Sequence, residues 1–199
     1  MTLRLDLGDA DFERTFEAFL GAKRESEADV NDVVAGIIAE VRARGDAALI
    51  DLTRKFDRFG FDASSLPISP SEIAAAKDDS TPETRKALHV AAARIRAFHE
   101  KQLPGDLDYT DAEGLRLGYR WTPVGAVGLY VPGGTAAYPS SVLMNALPAK
   151  VAGVKRLVMV VPTPDGVINP LVLVAADLAG VDEIYRIGGA QAVAALAFG

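Results

Sequence analysis

Two glycine-bearing turns hold the residues of this 199-residue chain best placed to do chemistry. The first follows Tyr130 and reads Val131-Pro132-Gly133-Gly134-Thr135-Ala136; the second reads Ile187-Gly188-Gly189-Ala190-Gln191. Each stands between an apolar strand-like run and an apolar helix-like run. Paired glycines let the backbone approach a ligand with no Cβ in the way, and a helix N-terminus offers free N–H groups to an anion. Tyr130 closes the first strand, and in open α/β sheets ligands bind beyond such strand ends. Gln191 falls in the first turn of the following helix, where its amide can donate to and accept from a cofactor. Pattern alone leaves three plainer readings open: a ligand-free strand-to-helix turn, Tyr130 as a packing residue and Gln191 as a helix cap. The G-x-G-x-x-G dinucleotide fingerprint is absent.

Other chemistry-bearing residues read as structural. His89 and His99 are ten apart on one helix, about 80° apart around its axis, which makes a poor metal pair. Ser140 and Ser141 have no nearby base to activate them and are expected to cap a helix. Asp6, Asp9, Asp11, Asp106 and Asp108 read as solvated loop or cap residues. With no cysteine there is no disulfide, thiolate metal site or Cys nucleophile.

The elements that must position the two turns follow from periodicity. Asp11 to Leu20 reads as a short helix with Phe12, Phe16 and Phe19 on one face. Val30, Val33, Val34, Ile37, Ile38 and Val41 mark the buried face of a second helix, which Gly45 stops. Asp46 reads as the cap of a third, through Phe56. Ser69-Pro70-Ser71-Glu72 and Ser80-Thr81-Pro82-Glu83 are helix starts; the latter opens a helix to about Gln102 with Leu88, Ala91, Ile95 and Phe98 inward. Leu115, Leu117, Tyr119 and Trp121 alternate with polar residues as a half-buried strand after the turn Asp111–Gly114. From Gly125 the pattern becomes strand, helix, strand, helix, strand, helix: strands near 125–131, 156–161 and 183–187, helices near 139–152, 168–179 and 189–198. Apolar strands alternating with helices imply a parallel sheet covered on both faces. The fold class expected is α/β: a helical N-terminal region with a β-hairpin over 1–122, then an incomplete Rossmann-like parallel β-α-β-α-β-α unit over 123–199.

The formal net charge of −6 lies entirely before residue 121. The remainder carries 4 basic and 4 acidic side chains of the chain's 21 and 27. A net acidic chain without a basic block argues against nucleic-acid or anionic-membrane partners. The N-terminus lacks a signal-peptide apolar core, and no apolar run reaches membrane-spanning length, so a cytoplasmic location is expected.

The run Val124-Gly125 through Tyr130-Val131-Pro132-Gly133-Gly134-Thr135-Ala136, then Pro139-Ser140-Ser141-Val142-Leu143-Met144-Asn145 and Pro148 to Val154, closely resembles histidinol dehydrogenase. Asn169-Pro170, Ala179-Gly180-Val181 and Gly188-Gly189-Ala190-Gln191 through Gly199 extend the resemblance, which covers about 75 residues. It implies a cytoplasmic, zinc-dependent homodimer that oxidises L-histidinol to L-histidine through a held aldehyde, two molecules of NAD each taking a hydride. It implies cofactor contacts at Tyr130 and Gln191 and Rossmann-like domains without the usual fingerprint. The family's catalytic Glu-His pair, its zinc ligands and a further NAD-binding asparagine match no position here, so no residue of this chain is assigned a catalytic or metal role. The rival expectation is a non-catalytic fragment or interaction module lacking that machinery.

Overall fold

The structure, a computed structural model, describes residues 3–60, 62–133 and 138–198. Seven helices and five strands run along these residues. Helices α1 (Phe12–Arg44), α2 (Asp46–Asp57), α3 (Pro70–Asp78) and α4 (Pro82–Glu100) come first. The hairpin strands β1 (Leu107–Thr110) and β2 (Arg116–Tyr119) follow, then β3 (Ala126–Tyr130), α5 (Pro139–Val151), β4 (Arg156–Val160), α6 (Pro170–Ala179), β5 (Glu183–Tyr185) and α7 (Gly189–Phe198).

Strands β3, β4 and β5 form a parallel sheet in that order, with Val127 opposite Leu157 and Met159 opposite Ile184. Side chains alternate across it. Leu129, Leu157, Met159 and Ile184 face α5 and α6, which are backed by α3 and α4 in one continuous core. Val160 and Tyr185 face the other way, toward Ala192 and Leu196 of α7. A Cβ on Gly128 would lie 2.8 Å from Leu196, so this glycine lets α7 lie close on β3. The α5–α6 core also takes in Ile68, Ala76, Leu88 and Ala92, so it runs across residue 122 without a break. The outer edge of β5 is covered by residues 66–68: Ile68 N–H donates to Ile184 O, and Arg186 N–H to Leu66 O.

Local signals set most element ends. Ser69 and Glu72 form a reciprocal capping box at the start of α3, and Thr81 accepts from Thr84 N–H at the start of α4. Asn169 caps α6, and Gly180 ends it in left-handed backbone. Asp111 accepts from the N–H groups of Glu113 and Leu115 in the hairpin turn.

Several expectations are corrected. Phe12–Arg44 forms one 33-residue helix rather than two, because no proline interrupts the run. Its expected buried face is covered only toward the C-terminal end. Val41 is buried and Ile37 and Ile38 pack beside it on α2 and α7, while Val30 and Val33 are exposed. Asp46 is the first residue of α2 and makes no cap; Gly45 occupies the N-cap. On α4, Leu88, Ala91 and Ile95 face the core but Phe98 is exposed in the last turn, edge-on to His99. Neither serine at the start of α5 caps it, since the N-cap is Tyr138 and no side chain bonds there. The strand expected to be half-buried, β2, is exposed along its length, as is β1.

Candidate functional site at the C-terminal ends of the sheet strands

The loops after β3, β4 and β5 interlock through glycines. A Cβ on Gly133 would meet Pro162 O at 2.6 Å, and a Cβ on Gly188 would meet Pro162 Cγ at 2.5 Å. Pro162 is therefore gripped between the two glycine turns singled out from the sequence. Gly134, Thr135 and Ala136 of the first turn lie outside the described residues.

Tyr130 and Gln191 are brought together at the second turn. The Tyr130 hydroxyl accepts from Gly189 N–H at 3.1 Å, which satisfies a donor at the start of α7. Its own proton remains free for an acceptor. Tyr130 is 39% exposed, which sets aside simple core packing. Gln191 is 1% exposed, and its Oε1 accepts no hydrogen bond. That oxygen lies so close to Gly189 that a Cβ there would stand 2.5 Å from it, and Gly189 adopts φ +65°, which favours glycine. Because Oε1 accepts from no N–H, Gln191 does not cap α7. An unpaired buried amide oxygen costs about 1–3 kcal/mol, which a ligand donor at this point would offset.

Next to this turn lies an open cleft of about 680 Å³, lined by Pro132 and Gly133 after β3, by Pro162 and Asp165 after β4, and by Phe56 and Arg58 at the end of α2. Tyr130 and Gln191 do not line it; Pro162 is the link between the two places. Arg58 and Asp165 join across it in a bidentate pair, Nε to Oδ1 at 3.0 Å and Nη2 to Oδ2 at 2.7 Å. The Arg58 guanidinium holds the Asp165 carboxyl below the usual range. Behind them Asp57 is buried. Desolvation pushes its carboxyl up, opposed by the Thr163 N–H and by Arg58. Asp57 Oδ2 and the hydroxyls of Thr53 and Thr163 are all buried without partners.

Arg58, Asp57 and Asp165 were not among the sequence candidates. The available signal was Pro162-Thr163-Pro164-Asp165-Gly166, a turn string directly after an apolar strand. His89 is exposed and His99 half-buried on α4, away from the loops just described. Among the described residues no group of three or more His, Asp or Glu side chains could hold a metal ion. The orphaned Gln191 oxygen remains open to a ligand donor, while the positions of Gly133 and Gly188 are closed to any Cβ by Pro162 itself.

Comparison with known proteins agrees with this architecture. The histidinol dehydrogenase family profile matches residues 21–199. The chain is 65% identical over 195 residues to a histidinol dehydrogenase of Ruegeria pomeroyi, covering 98% of this chain and 45% of that one. It is 64% identical over 199 residues to that of Rhodospirillum rubrum, covering 100% and 46%. The crystal structure of histidinol dehydrogenase from Elizabethkingia anophelis superposes with a TM-score of 0.81 at 34% identity, over 85% of this chain and 39% of that one. The chain thus spans about half the length of the curated relatives it matches. On the profile match and these identities, the chain belongs to the histidinol dehydrogenase family, to whose N-terminal half it corresponds.

Proposed function

We propose that this chain supplies the cofactor side of an NAD-dependent histidinol dehydrogenase, which oxidises L-histidinol through histidinal to L-histidine at the end of histidine biosynthesis. Residues 123–199 are the NAD-binding unit and residues 1–122 its support. When bound, NAD would take a hydride in each of two oxidations: alcohol to aldehyde with release of one proton, then aldehyde plus water to carboxylate with release of two. Gln191 accepts from the cofactor through Oε1, and Tyr130, its oxygen already held by Gly189 N–H, donates its free proton. Pro162 keeps both turns in register.

The observation that carries this reading is the meeting of Tyr130 and Gln191 at Gly189, with the Gln191 oxygen buried and unpaired. The zinc ligands and the acid–base pair are proposed to lie in the remaining length of the relatives, and the complete enzyme to be a cytoplasmic homodimer acting on a small molecule, without nucleic-acid or membrane partners. Among the described residues no helix is long and apolar enough to cross a membrane. The test is calorimetric titration with NAD, beside a thermal melt. Gln191→Ala is expected to weaken binding a few-fold to about ten-fold, the equivalent of one neutral hydrogen bond, with the melting temperature held. Tyr130→Phe separates hydroxyl from ring: a loss of similar size assigns the contact to the hydroxyl. Unchanged NAD affinity in both variants would refute the assignment.

A further inference from the structure

Asp165-Gly166 is the one Asp-Gly step in the sequence, which contains no Asn-Gly step. An aspartate followed by glycine can cyclise, because no side chain shields the glycine amide nitrogen from the aspartate carboxyl carbon. The Asp165 side chain is 60% exposed, so water reaches it. The turn also fixes the residue that follows. Gly166 adopts φ +78°, and a Cβ there would stand 2.6 Å from the Phe59 ring, so a bulkier residue cannot take its place and slow the attack. Composition and exposure make this turn reactive; its conformation keeps it closed.

Three features close it. Arg58 grips both carboxylate oxygens, Nε to Oδ1 at 3.0 Å and Nη2 to Oδ2 at 2.7 Å, and so fixes the side chain. The attacking atom is engaged, since Gly166 N–H donates to Thr163 O at 2.9 Å. Asp165 lies at φ +55° and ψ +21°, a left-handed conformation that aspartate tolerates, and this ψ turns Gly166 N away from the carboxyl. Arg58 acts on the leaving group as well. Cyclisation expels water and needs the carboxyl protonated, which the guanidinium opposes. An ion pair this exposed contributes little to stability. Its larger consequence is the chemistry it restrains.

We infer that Asp165-Gly166 is an isoaspartate-forming site held dormant by Arg58. When the clamp opens, Gly166 N bonds to Asp165 Cγ. The Cγ–O bond breaks, and that oxygen leaves as water with the carboxyl proton and the amide proton. A second water then opens the five-membered imide. Addition at Cγ restores aspartate. Addition at the main-chain carbonyl carbon leaves the backbone running through Cβ, one carbon longer, with a free carboxylate on Cα. The lengthened link falls between Pro162, gripped by the two glycine turns, and Asn169, the cap of α6.

The test ages the folded 199-residue chain in heavy-oxygen water at neutral pH, beside a synthetic peptide of residues 160–170. Mass spectrometry of the fragment holding Asp165 reads label uptake, one heavy oxygen for each cycle of closure and opening, and the isoaspartate formed. Wild type is expected to take up label at least about ten-fold more slowly than the peptide, the combined worth of one hydrogen bond and one exposed pair. Arg58→Asn loses the guanidinium and tolerates left-handed backbone; it should speed uptake about three- to five-fold. Arg58→Lys keeps the charge without the fork and should fall between. Salt screens the exposed pair, so wild-type uptake should also rise with ionic strength while the peptide's does not. Wild type as fast as the peptide would overturn the inference, as would a folded Arg58→Asn no faster than wild type. If that variant does not melt cooperatively, the salt series decides, and a wild-type rate flat in salt overturns the inference.

Discussion

The glycine turns, Tyr130 and Gln191 were legible in the sequence because their signals are local: paired glycines at a strand end and an amide two residues into a helix. The cleft residues were not. Arg58 reaches Asp165 over 107 residues of chain, and Asp57 receives the Thr163 N–H over a similar span; no short spacing announces either. Asp57 also carries a testable cost. A carboxyl raised in the folded state favours folding fully below its unfolded value and loses that contribution as pH rises through the folded one. At neutral pH the ionised group therefore weakens the fold, and its Oδ2 has no partner. Asp57→Asn removes the charge, keeps an acceptor for Thr163 N–H, and gains donors beside Thr53, one turn back on α2. It is expected to raise the melting temperature at pH 7 by about a few degrees. The gain should fade as pH falls through the raised folded-state value of the wild-type carboxyl, where that group protonates. A lower melting temperature at pH 7 would contradict this.

Elements were read well where start and stop signals coincide with periodicity. The strands and helices from Ala126 to Phe198 appear within a few residues of their expected bounds, since Asn169, Pro170 and Gly180 punctuate an otherwise apolar stretch. The hairpin turn announced itself through Asp111 and Gly114. The joining of two expected helices into α1 was missed because periodicity shows which face is apolar, not whether the backbone breaks. The start of α3 gives a prediction at this scale. Glu72 closes the Ser69 capping box with one carboxylate oxygen and pairs with Arg186, just past β5, with the other. Burial pushes its carboxyl up, but Ser69 N–H, Arg186 and the Ser69 hydroxyl together hold it below the usual range. A depressed carboxyl contributes stability above its unfolded value, about 4.3, and loses it as pH falls through the folded one. Glu72→Gln should therefore melt lower than wild type at pH 7, with the gap closing toward pH 3. A gap that persists at pH 3 would mean that packing, not charge, holds α3 to the sheet.

At the scale of the molecule, the expectation of a sheet covered on both faces holds, with α5 and α6 on one side and α7 on the other. What composition could not show is how much apolar surface the N-terminal region leaves open. Leu107, Tyr109, Leu117 and Tyr119 share one face of the hairpin by register, and all are exposed, with Trp121 beyond them edge-on to Tyr119. A lone two-stranded hairpin is marginal in water, and a contiguous apolar face promotes association. The 199-residue chain is expected to self-associate with rising concentration, and Leu117→Lys with Tyr119→Lys to suppress this without lowering the melting temperature. Light scattering checks both; a monodisperse monomer at high concentration would contradict it. The central claim, that the Gly188-Gly189 turn is an NAD contact, is tested most directly by a crystal structure of the chain soaked with NAD. The account predicts a cofactor polar group within hydrogen-bond distance of Gln191 Oε1, with a second at the Tyr130 hydroxyl. Ordered cofactor elsewhere, with Gln191 Oε1 still unpaired or bonded only to water, would contradict it.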